Sequence, residues 1–367
     1  MEIQGQYSTA KIFTDNIEQK AISQIYNLLN QGFTSGSKVR IMPDVHAGMG
    51  TTVGTTLTIT NKISPGLVGV DIGCGMETAI LEDSEIDLQQ LDLAIHQHIP
   101  SGLRIRKDTH RYGADFDLKA LRCANDIDMK RAMLSIGSLG GGNHFIELGR
   151  DEDGLLYLVV HSGSRNLGKQ VADFYQVAAN KHIGRVGRGS EKFMAYLEGV
   201  LLDDYLHDLK IVQKYADLNR KAMVKELEKR LNLKVKEQFA TVHNFVDLDT
   251  MILRKGAISA KKGERVIIPM NMRDGSILCV GKGNEDWNFS APHGAGRILS
   301  RGQAKESYTL RQYEKAMEGI FSSSISKRTL DEAPFAYKPM DEIITKIGDT
   351  VDIIKTVRPV YNFKAGS

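Results

Sequence analysis

Cysteine and proline are both scarce in this chain: 367 residues carry three of the first and eight of the second. Cys74, Cys123 and Cys279 form no CxxC pair and no regular spacing. That argues against a disulfide framework and fits a reducing cytoplasm. Long hydrophobic runs are missing too. No stretch of about 18 apolar residues occurs, so no membrane span is expected. The N-terminal MEIQGQYSTAKIFTD is polar and has no signal-peptide character. Neither sign of charge dominates, since the net charge is only +3. Internal repeats and low-complexity tracts are absent. So are the GxxxxGK[ST] phosphate loop and a GxGxxG following a strand, which removes the two commonest nucleotide-binding signatures.

Glycine, by contrast, is abundant, at 35 residues. Glycine without proline points to tight functional loops more than to disorder. With 41% hydrophobic and 25% charged residues the composition is that of a globular protein with a large core. Length allows two domains, or one large domain with insertions. Residues 17–31 have helical spacing. A strand is expected at 38–42, followed by a turn at Pro43–Gly48, and further strands at 52–60, 67–72 and 155–161. The segment 168–230 reads as two or three helices broken near Gly184–Gly189, from apolar spacings of three and four. Strands return from 240 onward (ERVIIP, SILCVG), then a helix near 340–348 and a strand near 350–361. Alternation is irregular, so the fold class is α+β around a mixed sheet, not a repeating βαβ unit.

The segment Val70-Asp71-Ile72-Gly73-Cys74-Gly75-Met76 sets a carboxylate and a thiol three residues apart, with glycine on both sides of the thiol. The run Leu67–Val70 before it reads as a buried strand emptying into a tight turn. Hard carboxylate oxygen and soft thiolate sulfur together suit a borderline divalent ion. Taken alone, a packed core thiol is the commoner explanation, because free cysteine is among the most buried residue types. Four more segments change the balance: Gly140-Gly141-Gly142-Asn143-His144, His161-Ser162-Gly163-Ser164-Arg165, Val242-His243-Asn244 and Pro292-His293-Gly294-Ala295-Gly296-Arg297. Each sets a lone histidine among small residues. A single histidine is more often structural than a ligand, but repeated coincidence is harder to dismiss. His46, in PDVHAG, is ambiguous.

Ligands scattered this widely must converge in space, as in catalytic metal sites and unlike structural zinc with its local pairs. Asp, Cys and three His suffice for two divalent ions sharing the thiolate. Two adjacent ions suit phosphoryl chemistry, where they clamp attacking and leaving oxygens. The glycine loops offer backbone N–H groups to phosphate, and Arg165 and Arg297 offer guanidinium forks. The clusters Arg104/Arg106/Lys107/Arg111, Lys181/Arg185/Arg188 and Arg254/Lys255/Lys261/Lys262/Arg265 either line a path for a polyanion or are solvated faces. For each cluster singly the solvated face is favoured. A Lys-x-[Asp/Asn]-Gly motif, whose lysine polynucleotide ligases charge, is missing. A covalent nucleotide would need another carrier. Neutral imidazole is competent, and His293, between Pro292 and Gly294, is the best placed.

VDIGCGM, GGGNHF, HSGSRNLG, VHNF, RKGA, HGAGR and EAPFAYK, in this order and with PDVH ahead of them, resemble the RtcB-type RNA ligases. The match covers nearly the whole chain. It implies one RtcB-like catalytic domain, 1–367, with a helical insertion around 168–230. By resemblance, Asp71, Cys74, His144, His161 and His243 are the metal ligands, with Cys74 bridging two Mn2+ ions. His293 is the nucleophile toward GTP. Asn143, Glu147, Asn271, Ser276, Gly294, Ala295, Gly296, Arg297, Tyr337 and Lys364 fall on the nucleotide side. Arg165, Asn219 and Arg220 fall on phosphate or RNA. Asn271 stands where the family commonly has serine, and the chain ends Lys364-Ala365-Gly366-Ser367 in place of Lys-Gly. These departures lie on the nucleotide side and leave the metal set and His293 intact.

The resemblance implies joining of RNA 3′-phosphate or 2′,3′-cyclic phosphate ends to 5′-hydroxyl ends through a guanylylated histidine, in RNA repair or tRNA splicing. An activator of the archease type is a further implied partner. Two other readings compete: a two-metal phosphoesterase that opens cyclic phosphates, and an RNA-end sensor without turnover.

Overall fold

The computed structural model describes residues 1–184 and 189–365. Its larger sheet has seven strands: β1 Gly75–Leu81, β2 Phe145–Arg150, β3 Leu156–Ser162, β4 Val235–Val242, β5 Arg265–Asn271, β6 Gly275–Gly281 and β7 Val351–Lys364. Their spatial order is β4-β1-β3-β2-β7-β6-β5, and every neighbouring pair is antiparallel. β1 and β3 are buried along their whole length. A strand covered on both faces has no need of polar alternation, which is why LLYLVVH reads as one continuous apolar run. The sheet curls until its edges meet: Ile267 N on β5 donates to Thr241 Oγ1 on β4 at 3.1 Å. Met76, Phe145, Val159, Ile267, Leu278 and Val357 fill the space between the sheet's inner faces.

Two long helices follow from the 168–230 pattern: α1 Arg165–His182 and α2 Val200–Leu231. Residues 185–188, part of the expected break and the site of two arginines of one basic cluster, lie outside the described residues. On one side Met223, Val224 and Leu227 of α2 pack against Ile146, Leu158 and Val160 of the large sheet. Its earlier Leu209, Val212 and Tyr215 join the core of the smaller sheet, beside Ile41, Val45 and Leu57. That sheet has six strands, in the order Glu2–Gln4, Thr9–Ile12, Val39–His46, Val53–Thr58, Ile252–Lys255, Asn244–Asp247. His243 sits between β4 of one sheet and Asn244–Asp247 of the other, so it marks their junction. The whole is the mixed α+β arrangement expected. No described helix is long and apolar enough to cross a membrane.

Two local expectations fail. Residues 67–72 are not a strand. Pro65 opens a short helix, Pro65–Val68, and Gly69, with φ of 90°, ends it. A proline costs nothing at the first turn of a helix, where its missing N–H has no partner to lose. The Asp71–Cys74 turn therefore precedes a strand and does not follow one, and Val70 is exposed. Likewise Pro43–His46 is not a turn but the end of strand Val39–His46. Pairing there is irregular between Ile41 and His46, which is where a residue without an N–H is tolerated.

Candidate metal and nucleotide site

Antiparallel order brings chain starts and chain ends to one edge of the large sheet. His243 follows the last residue of β4, Cys74 precedes the first of β1, His161 is next to last in β3, and His144 precedes β2. These four strands are neighbours in that order. Cys74 Sγ lies 3.5 Å from His144 Nε2 and 3.3 Å from His161 Nε2. Asp71 Oδ2 is 3.0 Å from His144 Nε2, and His161 Nε2 is 3.4 Å from His243 Nε2. Five ligand-type side chains thus meet with the thiol in the middle. Glycines make the approach possible. A Cβ on Gly163 would fall 2.2 Å from Asp71 Oδ1, and one on Gly140 would fall 2.4 Å from His144 Nδ1.

The protonation states suit ligation. Burial opposes ionisation of Asp71, but the hydrogen bond and charge of His144 outweigh it and hold the carboxyl at about 2. Burial keeps His161 and His243 well below the usual histidine range, as neutral imidazoles. Burial, then the Asp71 charge, pushes the Cys74 thiol well up. A thiolate there calls for a cation beside it. The donor set (one carboxylate, one sulfur, three imidazole nitrogens) fits borderline divalent metal.

His293 stands on the far side of His243, with ring centroids 4.9 Å apart. It follows the short strand Ser290–Pro292. Asp44, fully buried, receives it: one carboxylate oxygen accepts from His293 Nδ1 at 2.6 Å, from His293 N at 3.0 Å and from Gly294 N at 3.3 Å. With Nδ1–H so engaged, the lone pair is on Nε2. Gly296, with φ of 75°, lets the loop cross Asp44, since a Cβ would sit 2.3 Å from the Asp44 carbonyl oxygen. His46 belongs to this region as well. Its Nδ1 lies 3.0 Å from the Asp44 carbonyl oxygen, and burial lowers its pKa.

One cavity of about 870 Å3 takes in Asp71, Cys74, His161, His243 and His293, and runs on to Glu147 and Lys364. Cross-strand register builds that far end: Lys364 of β7 pairs with Phe145 of β2, and Asn362 with Glu147. Asn362 Nδ2 donates to Glu147 Oε2 at 2.7 Å, and Glu147 Oε1 has no partner. Burial raises the Glu147 carboxyl to about 7. Glu332 accepts from Lys364 Nζ at 2.6 Å and from Tyr337 at 2.7 Å, with Arg301 at 2.7 Å. Burial works against the Glu332 charge, yet Lys364 and Arg301 hold its carboxyl at about 2. The cavity therefore has a metal-type cluster and a free imidazole nitrogen at one end. Its other end carries an unpartnered carboxyl oxygen and a buried ammonium.

A family model described as tRNA-splicing ligase RtcB matches residues 24–365. The chain belongs to the RtcB family. It is 31% identical over 393 residues to the RNA-splicing ligase RtcB of Escherichia coli K12, covering 95% of each chain. It is 28% identical to the tRNA-splicing ligase RtcB of Methanococcus maripaludis, over 94% of this chain and 90% of that one.

Several residues that the RtcB resemblance assigned to ligands sit elsewhere. Asn219 and Arg220, expected on phosphate or RNA, are 0% and 1% exposed. Arg220 Nη1 donates to the carbonyls of Gly73 and Ser162 at 2.6 and 3.1 Å. Asn219 accepts from Gly137 N and Ser138 N and donates to the Ser138 and Gly163 carbonyls. From α2 the pair fastens the loops that carry Cys74, His144 and His161, and neither faces solvent. Ser276 is buried within β6, does not line the cavity, and its hydroxyl has no partner. Asn271 does line it, but its side chain closes the β5–β6 hairpin through Asp274 and Arg273. Arg297 lines the cavity as well, stacked over Tyr337, and donates to the carbonyls of Leu299 and Asp331. Arg165 donates to Ser138 Oγ and to the Gly102 carbonyl. Asn143, Gly294 and Ala295 line the cavity. Of the basic clusters, Arg254 and Lys255 are buried, so they are no solvated face.

Sequence reasoning passed over Asp44, Glu332 and Arg301, and named Lys255 only as one of a basic cluster. Signals existed for three of them. Asp44 stands inside PDVH beside the histidine that drew attention, Glu332 opens EAPFAYK, and Lys255 is the lysine of RKGA.

Proposed function

We propose that this chain seals RNA ends, joining a 3′-phosphate or 2′,3′-cyclic phosphate to a 5′-hydroxyl with GTP and Mn2+, through guanylylated His293. The seat of His293 carries the reading: Nδ1 is fixed on a buried carboxylate, and Nε2 is left for a cavity shared with the metal-type cluster. The relatives' names, RNA-splicing and tRNA-splicing ligase, support RNA as the substrate. Asp71, Cys74 and His144 would hold one ion and Cys74, His161 and His243 a second, and bound ions would offset charge on the transferring phosphate.

The chain's own groups account for the rest. His293 Nε2 attacks the α-phosphorus of GTP; a P–N bond forms and pyrophosphate leaves. Asp44 holds the imidazolium that results and fixes its plane. Backbone N–H groups around Asn143 and Ala295–Gly296 are suited to phosphate oxygens. At the far end, Glu147 accepts from the N–H edge of guanine and Lys364 donates to its carbonyl, with Tyr337 alongside. Water first opens a cyclic phosphate, breaking the P–O2′ bond to leave a 3′-phosphate and a free 2′-hydroxyl. That 3′-phosphate takes GMP from His293, and the 5′-hydroxyl then displaces GMP as the strands join.

Incubation with Mn2+ and α-labelled GTP tests this. A label on the wild type that is lost in His293→Ala is expected. No covalent guanylate on the wild type, or one that persists in His293→Ala, would overturn the mechanism.

A further inference from the structure

Leu103 is 89% exposed, more than any other large hydrophobic residue described. It stands in the loop Ser101-Gly102-Leu103-Arg104-Ile105-Arg106-Lys107, where Arg104 and Lys107 are exposed too. Among the described residues neither has a carboxylate within 4 Å; Arg104 turns back only on Ser101, with Nη2 3.1 Å from Oγ. Exposing an aliphatic side chain on the same loop as two unpaired cations makes no sense as packing. Single-stranded nucleic acid is bound by cations on the phosphates and by flat, mostly aromatic side chains under the bases; here an exposed aliphatic side chain stands where such a group would.

The loop is fastened to the reacting centre. Gly102 N donates to the Gly140 carbonyl at 2.8 Å, and Ser101 bridges to Gly140. Arg165 Nη2 donates to the Gly102 carbonyl at 2.7 Å. Gly140 itself abuts His144 and Arg165. From the other side Arg131 Nη2 reaches the Leu103 carbonyl at 3.4 Å. The backbone of the loop is thus held against the glycine turn that carries a metal-type histidine, while Leu103, Arg104 and Lys107 remain in solvent.

We propose that residues 101–107 form a docking rim for the single-stranded RNA that leads to the reacting end, with Arg104 and Lys107 on successive phosphates and Leu103 against a base. The inference rests on the ligase reading above. Binding of short RNAs ending in 3′-phosphate or in 5′-hydroxyl is measured against salt for wild type, Arg104→Gln/Lys107→Gln and Leu103→Ala. Two lost phosphate contacts reduce the steepness of log K against log salt by about 1.4, which amounts to about 25-fold in Kd at 0.1 M salt. Leu103→Ala weakens binding by about fivefold, the low end for a base contact since leucine has no π face, and leaves the slope unchanged. Guanylylation of His293 needs no RNA and serves as the control for folding. If the wild type binds RNA ends and the double variant matches it in affinity and slope, the rim is not a docking surface. Should the wild type bind no RNA at any salt, the rim and the ligase reading fall together.

Discussion

Replacing Asp44 by Asn probes the seat of His293 without changing its shape. In the native protein one oxygen accepts three hydrogen bonds, the shortest from His293 Nδ1 at 2.6 Å. The other oxygen is buried with no partner. An asparagine has two ways to sit. With its carbonyl oxygen toward His293, all three bonds survive in neutral form and the NH2 is stranded where nothing accepts from it. With the NH2 toward His293, it faces the N–H groups of His293 and Gly294, and Nδ1 must become an acceptor. The proton then moves to Nε2, and the nucleophile is gone. A bond to a charged group contributes about 1.5–3 kcal/mol. At about 1.4 kcal/mol per factor of ten, the first orientation costs about 10- to 150-fold if the charge matters only when His293 becomes cationic. The second approaches the loss of about 10⁴ that follows when a catalytic histidine is held in the wrong tautomer. Single-turnover guanylylation with labelled GTP and Mn2+ reads this directly, with thermal unfolding as the check on folding. A folded Asp44→Asn protein that labels at the wild-type rate would refute the reasoning.

Cys74→Ala is expected to abolish guanylylation and Mn2+ retention, while Cys123→Ala and Cys279→Ala, buried away from the cluster, keep both; equal tolerance at all three, by activity and bound-metal analysis, would remove the bridging thiolate. Arg220→Met strands two buried carbonyls, those of Gly73 and Ser162, and should cost about 2–5 kcal/mol by denaturant unfolding, together with weaker Mn2+ binding; unchanged stability would mean the α2 clasp is dispensable. Lys255, which donates to the Met49 and Gly66 carbonyls at the cavity wall, is lowered by burial to about 8. Between about pH 8 and its ordinary value near 10 the unfolded chain binds a proton that the folded one does not, so this residue makes stability rise with pH there. If its charge serves a phosphate, activity falls over the same range, and Lys255→Met should flatten both trends in parallel titrations.

The legible part of the site was the set of isolated donors among glycines, because small residues are needed wherever a ligand and a backbone come close. Asp71, Cys74, His144, His161 and His243 could be picked out as chemistry before anything was known of their positions. Their convergence over more than 170 residues of sequence then has a simple cause: in an antiparallel sheet, the start of one strand and the end of the next share an edge. What could not be read was partnership across that edge. Asp44 looks like any turn aspartate until His293, 249 positions away, is seen on its carboxylate. Asn219 and Arg220 have the polar character of a surface pair, and only α2's burial between the two sheets shows that they serve backbone carbonyls. The strand expected at 67–72 failed for a related reason. Its apolar run fits a buried helix turn as well as a strand, and Pro65 decides between them by lying at a position where a helix needs no N–H. Motif residues are thus visible one at a time. The groups that orient them are spread through the rest of the sequence, and in this chain the most consequential of these, Asp44 and Glu332, bear charges that only burial beside a specific partner makes sense of.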